Sequence, residues 1–509
     1  MLKNALRAGA ATLVILMAGG AMASDLKVAV QAVPASIDPA SENSNVSLRV
    51  IYSVYDTLVK TDFRDGGKLK PALATSWTII DAKTVEFKLR PNVKFHNGET
   101  LSADDIVATF SPVRIGLDPN IPVESKAFLG GIDHVEIVDP LTVRIHMKKN
   151  DAIILQRFAN FPSQIISAAA LKSSASYQDF AAKAIGTGPY KLKSFKPGDK
   201  VVLEKFEGYW GEPKAAADEV TFSVVPELST RVAGLVSGQF DLITEVGPDD
   251  IKQIDAGKNT KVVGGPILNI LGLFYDSTND VLADPRIREA LNLSIDRVKL
   301  VNSFYGGRTE VPHGWQMPSF GDMYLADRPL PEYNLQKAKA LLKEAGYNGA
   351  EIVYRTRNYY TKQIETAQIL QSMWKAAGLN IKLEIKENGA QVFADDDRRM
   401  IVDGSFSAYY PDPLGQFWRR FGQDTTYATG KYWKVDPDMV AMGDELATSI
   451  DTARRREIFG KMLDKFDKEP NGAVLYDLAA FMGERSDRVS LKVLPNEYLD
   501  LTTDGLSFK

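Results

Sequence analysis

The chain has 509 residues, 44% of them apolar and 25% charged, with 61 basic against 65 acidic side chains. At roughly 150 residues per domain this length predicts about three domains, and the composition excludes a disordered chain, a coiled coil or a collagen-like rod. A formal charge of −4 without a polybasic block argues against nucleic acid and anionic lipid as partners, and the lack of cysteine removes thiol catalysis, disulfides and thiolate-bound metals.

The first segment reads as a secretory signal. Lys3 and Arg7 are followed by an apolar stretch centred on Leu13-Val14-Ile15-Leu16, then by Ala21-Met22-Ala23. A basic region, an apolar core and an A-x-A site are the parts of a cleavable signal peptide, residues 1–23. The core is about ten residues, too short for the roughly 20 a bilayer span needs. Cleavage leaves Ser24 first, and with no cysteine there is no lipid attachment point. An exported, unanchored chain of this kind fits a Gram-negative periplasm.

After Ser24, residues 26–30 alternate as a strand, and 46–59 form an amphipathic helix with Val46, Val50, Val54 and Leu58 on one side. Residues 84–89 alternate again. Ser102 caps a helix ending at Phe110, with Asp104 and Asp105 in its first turn. Residues 143–147, 201–205 and 219–224 read as further strands. The later half holds longer helices: 335–345 capped by Asn334 and stopped by Gly346, 364–377 stopped by Gly378, and one capped by Asp451 running to Phe466, with a strand at 381–385. Strands and helices alternate irregularly without a long linker, which predicts α/β lobes built from interleaved segments.

Catalytic signatures are missing: no G-x-S-x-G, H-E-x-x-H, Walker A or EF-hand pattern occurs. Gly186-Thr187-Gly188 lacks the third glycine of a dinucleotide fingerprint and reads as a tight bend. The acidic run at Asp395 reads as a solvated loop, and four scattered histidines (His96, His134, His146, His313) do not suggest a metal cluster. Binding is the job left.

A set of motifs points to one family. Leu73-Ala74-Thr75-Ser76-Trp77 is followed by Thr84-Val85-Glu86-Phe87-Lys88-Leu89-Arg90, Val93-Lys94-Phe95-His96-Asn97-Gly98 and Leu101-Ser102-Ala103-Asp104-Asp105-Ile106. Gly186-Thr187-Gly188-Pro189-Tyr190 precedes an element from Phe206 to Trp210, then come Asp284-Pro285-Arg286-Ile287-Arg288, a helix with Tyr333 and Tyr347 at its ends, and Tyr410-Pro411-Asp412-Pro413. Together these resemble the extracellular solute-binding proteins of family 5, receptors of ABC importers for peptides, nickel, opines and related solutes. Phe206 stands where the family pattern has asparagine.

The resemblance implies an α/β, two-lobed periplasmic-binding-protein fold (class II, large type) with an extra small domain on the first lobe. Domain Ia takes 24–55, 186–265 and 473–509, domain Ib takes 56–185, and domain II takes 266–472. The chain crosses between lobes near Gly264-Gly265-Pro266 and again near Ala473-Val474-Leu475-Tyr476. The implied work is capture of a solute by lobe closure and delivery, as a monomer, to an inner-membrane permease with its ATPase subunits. No cofactor and no resident metal are expected.

The cleft is sought in aromatic and hydrogen-bonding loops. One is Arg355, Arg357, Asn358 and Tyr359; the other is Phe406, Tyr409, Tyr410 and Asp412. In peptide-binding relatives an acid of this second loop holds the ligand's ammonium, which makes Asp412 the candidate; another acidic position falls at Tyr409. The arginine pair suits a carboxylate or phosphate. Asn43 and Asn45 precede a helix, Trp315 and His313 lie in a Pro/Gly-rich loop, and Glu245 and Asn269 are weaker candidates. The set suits a short peptide or a sugar–amino-acid conjugate such as an opine. The rivals are an oligosaccharide or nickel-chelate receptor, a sensory or chaperone-like protein, and an exported hydrolase. The hydrolase needs a nucleophile–base pair or two carboxylates about 5–9 Å apart across a cleft, which sequence spacing does not show.

Overall fold

The computed structural model describes residues 24–42, 44–118, 121–396, 399–423, 425, 432–433 and 435–509. The expected signal segment lies outside these residues, and no described helix is long and apolar enough to cross a membrane. Most expected elements are present, including the helices Ala103–Phe110, Leu335–Glu344, Gln363–Ala377 and Thr452–Lys468. Ser102 and Asp105 form a reciprocal capping box, which accounts for the acid in that first turn.

A ten-stranded mixed sheet organises the described chain. Its spatial order is Ile381–Lys386, Ile352–Arg357, Ile401–Ser407, Thr260–Tyr275, Gly472–Arg485, Leu242–Ile243, Asp25–Val30, Glu219–Val224, Lys200–Lys205 and Tyr190–Lys196. The two central strands are antiparallel and long, 16 and 14 residues, the first roughly 50 Å from end to end. On its far side Thr260–Tyr275 gains its other neighbour, Ile401–Ser407, only from Asn269 onward. On the opposite side Gly472–Arg485 meets Leu242–Ile243 only at Gly483 and Glu484. Between those points the sheet is two strands wide. A register shift between Pro266 and Ile270 interrupts the pairing there, and Gly264 adopts φ +112°, a conformation closed to most L-residues.

Alternation along these strands splits the interior. One apolar cluster runs unbroken past the narrow stretch, from Val232, Leu235 and Ile243 through Leu271 and Tyr476 to Tyr354 and Trp374. The alternate residues join two separate clusters. Val263 and Met482 pack with Tyr190 and Phe222, whereas Ile270, Phe274 and Val474 pack with Phe406 and Phe421. One face of the waist is therefore continuously packed and the other is interrupted.

A separate four-stranded antiparallel sheet, Ala74–Asp81, Thr84–Leu89, Thr142–Met147 and Ile132–Asp139, carries a smaller core. Phe87 and Phe110 meet Phe158 edge-on at 5.3 and 5.2 Å. Phe95 is buried there and Trp77 packs partly against it.

The glycine-rich motif holds this small unit to the large sheet. The helix expected over 46–59 ends earlier, at Asn45–Val54. Gly188 N–H donates to the Val54 carbonyl at 2.9 Å, and a Cβ on Gly186 or Gly188 would collide with that same backbone. Gly186 N–H also donates to His96 Nδ1 at 3.3 Å, and His96 Nε2 donates to the Gly188 carbonyl at 3.1 Å. The imidazole is thus a neutral staple between two backbone segments. Of the two arginines in the Asp284–Arg288 motif, Arg286 binds Asp284 at 2.6 Å. Arg288 instead donates to the carbonyls of Pro470, Leu282 and Ala283.

Burial drives His96 down to about 4, against the opposing pull of its backbone carbonyl partner. Between pH 6.5 and 4 the unfolded chain binds a proton that the folded chain refuses, so stability falls as pH drops through that window. Denaturant unfolding across the window should show wild type losing stability relative to a His96→Gln variant. Parallel pH profiles would contradict the neutral-staple assignment.

Candidate functional site

Where the core is interrupted, a cavity of about 690 Å³ opens beside the waist, within the range of small-molecule sites. One wall is the helix Asn45–Val54, which presents Asn45, Leu48 and Tyr52, a one-sided helical spacing. Gln156, Asn160 and Gln164 approach from the small unit. Ile267, Leu268 and Asn269 form the waist side, and Ser407, Ala408 and Tyr409 come from the other half. Glu497 and Tyr498, from the segment following the last central strand, complete it.

The two halves touch across this space. The side-chain amide of Asn160 donates to the Tyr409 carbonyl. The Arg157 guanidinium sits 4.8 Å from the Tyr410 ring centre. Ala152 N–H donates to the Ala447 carbonyl at 3.0 Å, and Lys362 pairs with Asp249 at 2.7 Å.

Inside, Tyr52 and Tyr498 stack with ring centres 3.8 Å apart. Glu497 and Glu245 both have left-handed backbones, φ 61° and 52°, a conformation that costs non-glycine residues about 1–3 kcal/mol and concentrates at functional sites. Glu245 pairs with the buried Arg49. Burial raises Glu245, but Arg49 and the Thr244 hydroxyl outweigh it and hold it below the usual carboxylate range. Glu497 accepts a hydrogen bond from Asn45 and is raised by burial. Arg49 thus ion-pairs with Glu245, and it acts on Glu497 only through space, where burial outweighs it.

The amide of Gln164 is different. The side chain is fully buried, yet neither Nε2 nor Oε1 has a protein partner. Asn269 Oδ1 is also unpartnered. Unpaired buried polar groups are rare because each costs about 1–3 kcal/mol.

Of the residues singled out in the sequence, Asn45 and Tyr409 line the cavity, as does the weaker candidate Asn269. Tyr409 also lies under the Arg419 guanidinium, 4.0 Å away. Asn43 lies outside the described residues. The rest of the set is placed elsewhere and corrects the reading. Phe406 and Trp315 are core residues 4.2 Å apart, and Phe406 stacks on Phe274. Tyr410 is buried in the contact between halves. Arg355 is buried and paired at 2.7 Å with Asp396, itself an exposed member of the acidic loop. Arg357 covers the exposed ring of Tyr359 at 4.2 Å, beyond the cavity wall, with Asn358 exposed beside it. His313 donates Nδ1–H to the Arg328 carbonyl, and no histidine lines the cavity.

Asp412 is the main correction. It is fully buried, accepts Leu414 N–H at 2.9 Å, and receives Arg455 Nη2 on both oxygens at 2.8 and 3.0 Å. It folds its loop against the helix Thr452–Lys468 and has no free oxygen to offer a solute. The residues missed, Gln164, Tyr52, Glu497 and Tyr498, had faint signals at best. Gln164 is a lone amide in an apolar run, and Tyr52 shares the helical stripe with Asn45 and Leu48.

Three comparisons bear on this geometry. Residues 68–428 match the bacterial extracellular solute-binding proteins, family 5, middle region. The glutathione-binding protein GsiB of Escherichia coli (strain K12) is 30% identical over 380 residues, 74% of this chain and 72% of that one. The structure of HbpA2 from Haemophilus parasuis superposes with a TM-score of 0.84 at 24% identity, over 95% of this chain and all of the other. DppA from Helicobacter pylori, in complex with the peptide STSA, does so at 0.72 and 24%, over 94% and 98%.

Replacing Asp412 with alanine leaves Arg455 buried and uncompensated. We expect Asp412→Ala to lose about 3–5 kcal/mol of folding stability in urea unfolding. Unchanged stability would return Asp412 to the list of solute contacts.

Proposed function

The chain belongs to the bacterial extracellular solute-binding proteins of family 5, the solute-binding components of ABC importers and not enzymes, and from that premise we propose that it captures a short peptide or peptide-like solute in the periplasm. The observation that carries this reading is the cavity at the break in the core, walled by both halves and bridged by contacts between them. In the proposed cycle the halves part at the two-strand waist, solute enters, and closure returns the bridging contacts. A solute shifts that equilibrium only as far as it favours the closed form. The shut receptor then delivers it to an inner-membrane permease. The lobes follow the division 24–55, 186–265 and 473–509 with 56–185 against 266–472, after removal of residues 1–23.

A peptide-like solute is favoured by the wall chemistry. The stacked tyrosines give a flat apolar face, and Glu497 with Asn45 an acceptor for an ammonium. Tyr409 reaches the solute from the second lobe. The relative that binds glutathione, itself a peptide, supports the class. An opine shares the amino-acid part of this chemistry and stays within the proposal. A nickel chelate would have to be held without a protein histidine.

The test is a thermal-shift and calorimetry panel of trialanine, glutathione, an opine, haem and a nickel–histidine chelate. A ligand present at 100 times its Kd raises stability by about 2.7 kcal/mol. We expect a peptide-like compound to give the largest shift. A shift with haem or the nickel chelate alone, or turnover of a bound compound, would overturn the reading.

A further inference from the structure

We propose that the cavity continues past the tyrosine pair into a compartment of the half that carries the helix Asn45–Val54, where Arg90, with Lys60, holds the far carboxylate of a solute about four to five residues long. The inference rests on the peptide-receptor reading, with Glu497 as the ammonium end, and adds to it a preferred length and an acidic terminus.

Three contacts lay the segment after the last central strand along the helix and its continuation. Asn45 bonds Glu497, Tyr52 stacks on Tyr498 at 3.8 Å, and Arg64 pairs with Asp500 at 2.7 Å. Residues on both sides of this seam line the cavity. The other half reaches it near Tyr52 and Pro495. Asn160 accepts from the Tyr52 hydroxyl at 3.4 Å and donates to the Tyr409 carbonyl, and Leu268 N–H donates to the Pro495 carbonyl at 2.9 Å. Past the helix the lining includes Lys60, Arg64, Arg90 and Trp210. The helix has 10 residues and rises about 15 Å. Just beyond its end, Asp56 accepts the Trp210 indole N–H at 2.9 Å. An extended chain advances about 3.3–3.6 Å per residue, so about four to five residues join Glu497 to Arg90.

Arg90 is half-buried, and among the described residues no carboxylate pairs with it. Its Nε donates to the Ala72 carbonyl at 3.2 Å, and its guanidinium lies 4.7 Å from the Trp210 ring centre. Nη1 and Nη2 make no hydrogen bond to the described residues, and neither is sealed from solvent. A guanidinium stacked on an indole keeps its planar fork open to a carboxylate. Lys60, exposed on the strand Val59–Asp62, has no acid partner among the described residues either. Most acids at this end are engaged. Asp500 holds Arg64 and the Thr502 hydroxyl, Asp62 accepts Arg64 N–H at 3.0 Å, and Glu212 pairs with Lys214 at 3.5 Å. Asp56 receives Trp210 and the Thr187 hydroxyl on one oxygen, and burial raises it from the ordinary carboxylate value. Asp504, exposed, is the opposing charge without a partner among the described residues.

The test compares dialanine and tetraalanine, each as free acid and as C-terminal amide, by calorimetry on wild type and Arg90→Gln. We expect wild type to bind tetraalanine acid at least tenfold more tightly than its amide, because the bonds to a carboxylate are charge-assisted. We expect Arg90→Gln to bind the two alike. Dialanine, too short to reach Arg90 from Glu497, should show no acid preference in wild type. The acid-to-amide ratio isolates the contact, since a general loss of cavity shape in the variant weakens acid and amide together and keeps the ratio. Both wild-type comparisons stand whether or not the variant folds. A wild type that binds tetraalanine acid and amide equally, an unchanged ratio in Arg90→Gln, or the same acid preference for dialanine overturns this inference and leaves the receptor reading standing. A wild type that binds no peptide probe overturns the peptide reading and takes this inference with it.

Discussion

Two antiparallel strands carry the described chain from one half to the other, and the cavity depends on their being alone there. A sheet four or five strands wide resists bending about an axis across its strands; a pair does not. Thr260–Tyr275 and Gly472–Arg485 are each flanked on their outer sides only toward opposite ends. The pair is weakened where it is narrowest, by the register shift after Pro266 and by Gly264, whose backbone approaches Ala480 too closely to admit a side chain. The apolar cluster on one face keeps packing through that region, and the cavity occupies the other face.

The waist also carries a buried acid. Asp477 is paired in register with Ile270, and its Oδ1 has no partner. Burial, reinforced by the nearby Glu310, lifts its pKa well above the ordinary value. Burial thus disfavours its charged form, because an uncompensated charge on the buried strand pair is costly. Charge is placed instead at the cavity edge, in the Arg49–Glu245–Glu497 group, where the left-handed backbones of both glutamates are sustained by surrounding contacts. Further charged groups, among them Asp56, Arg64, Arg90 and Asp500, line the cavity together with neutral amides.

How much of this was legible in the sequence varies with the range of the interaction. The helices over 335–345 and 364–377 were readable because cap, apolar period and stop residue are all local. The fold was readable from a set of motifs, and the structure gives several of them a mechanical meaning: His96 and Gly186-Thr187-Gly188 staple one backbone to another. The site was largely unreadable. Asp412 sits in an aromatic loop that looks like a binding loop, and only its Arg455 partner, 43 residues away, shows that its charge is spent on folding. Trp315 and Phe406 looked exposed because their loop and strand end are polar in sequence, while their rings pack on each other. Gln164 becomes conspicuous only when the partners it lacks are counted in three dimensions.

The claim that the halves close on solute by bending at this waist is tested most directly by a distance across the contact between Ala152 and Ala447. The chain has no cysteine, so spin labels on Asn150→Cys and Asp444→Cys, both exposed positions on either side of that contact, would be unique. Pulsed electron–electron resonance should give a longer or broader distance distribution in the free receptor that collapses to a single short distance with saturating trialanine. One narrow distribution, identical with and without the peptide bound, would contradict the account.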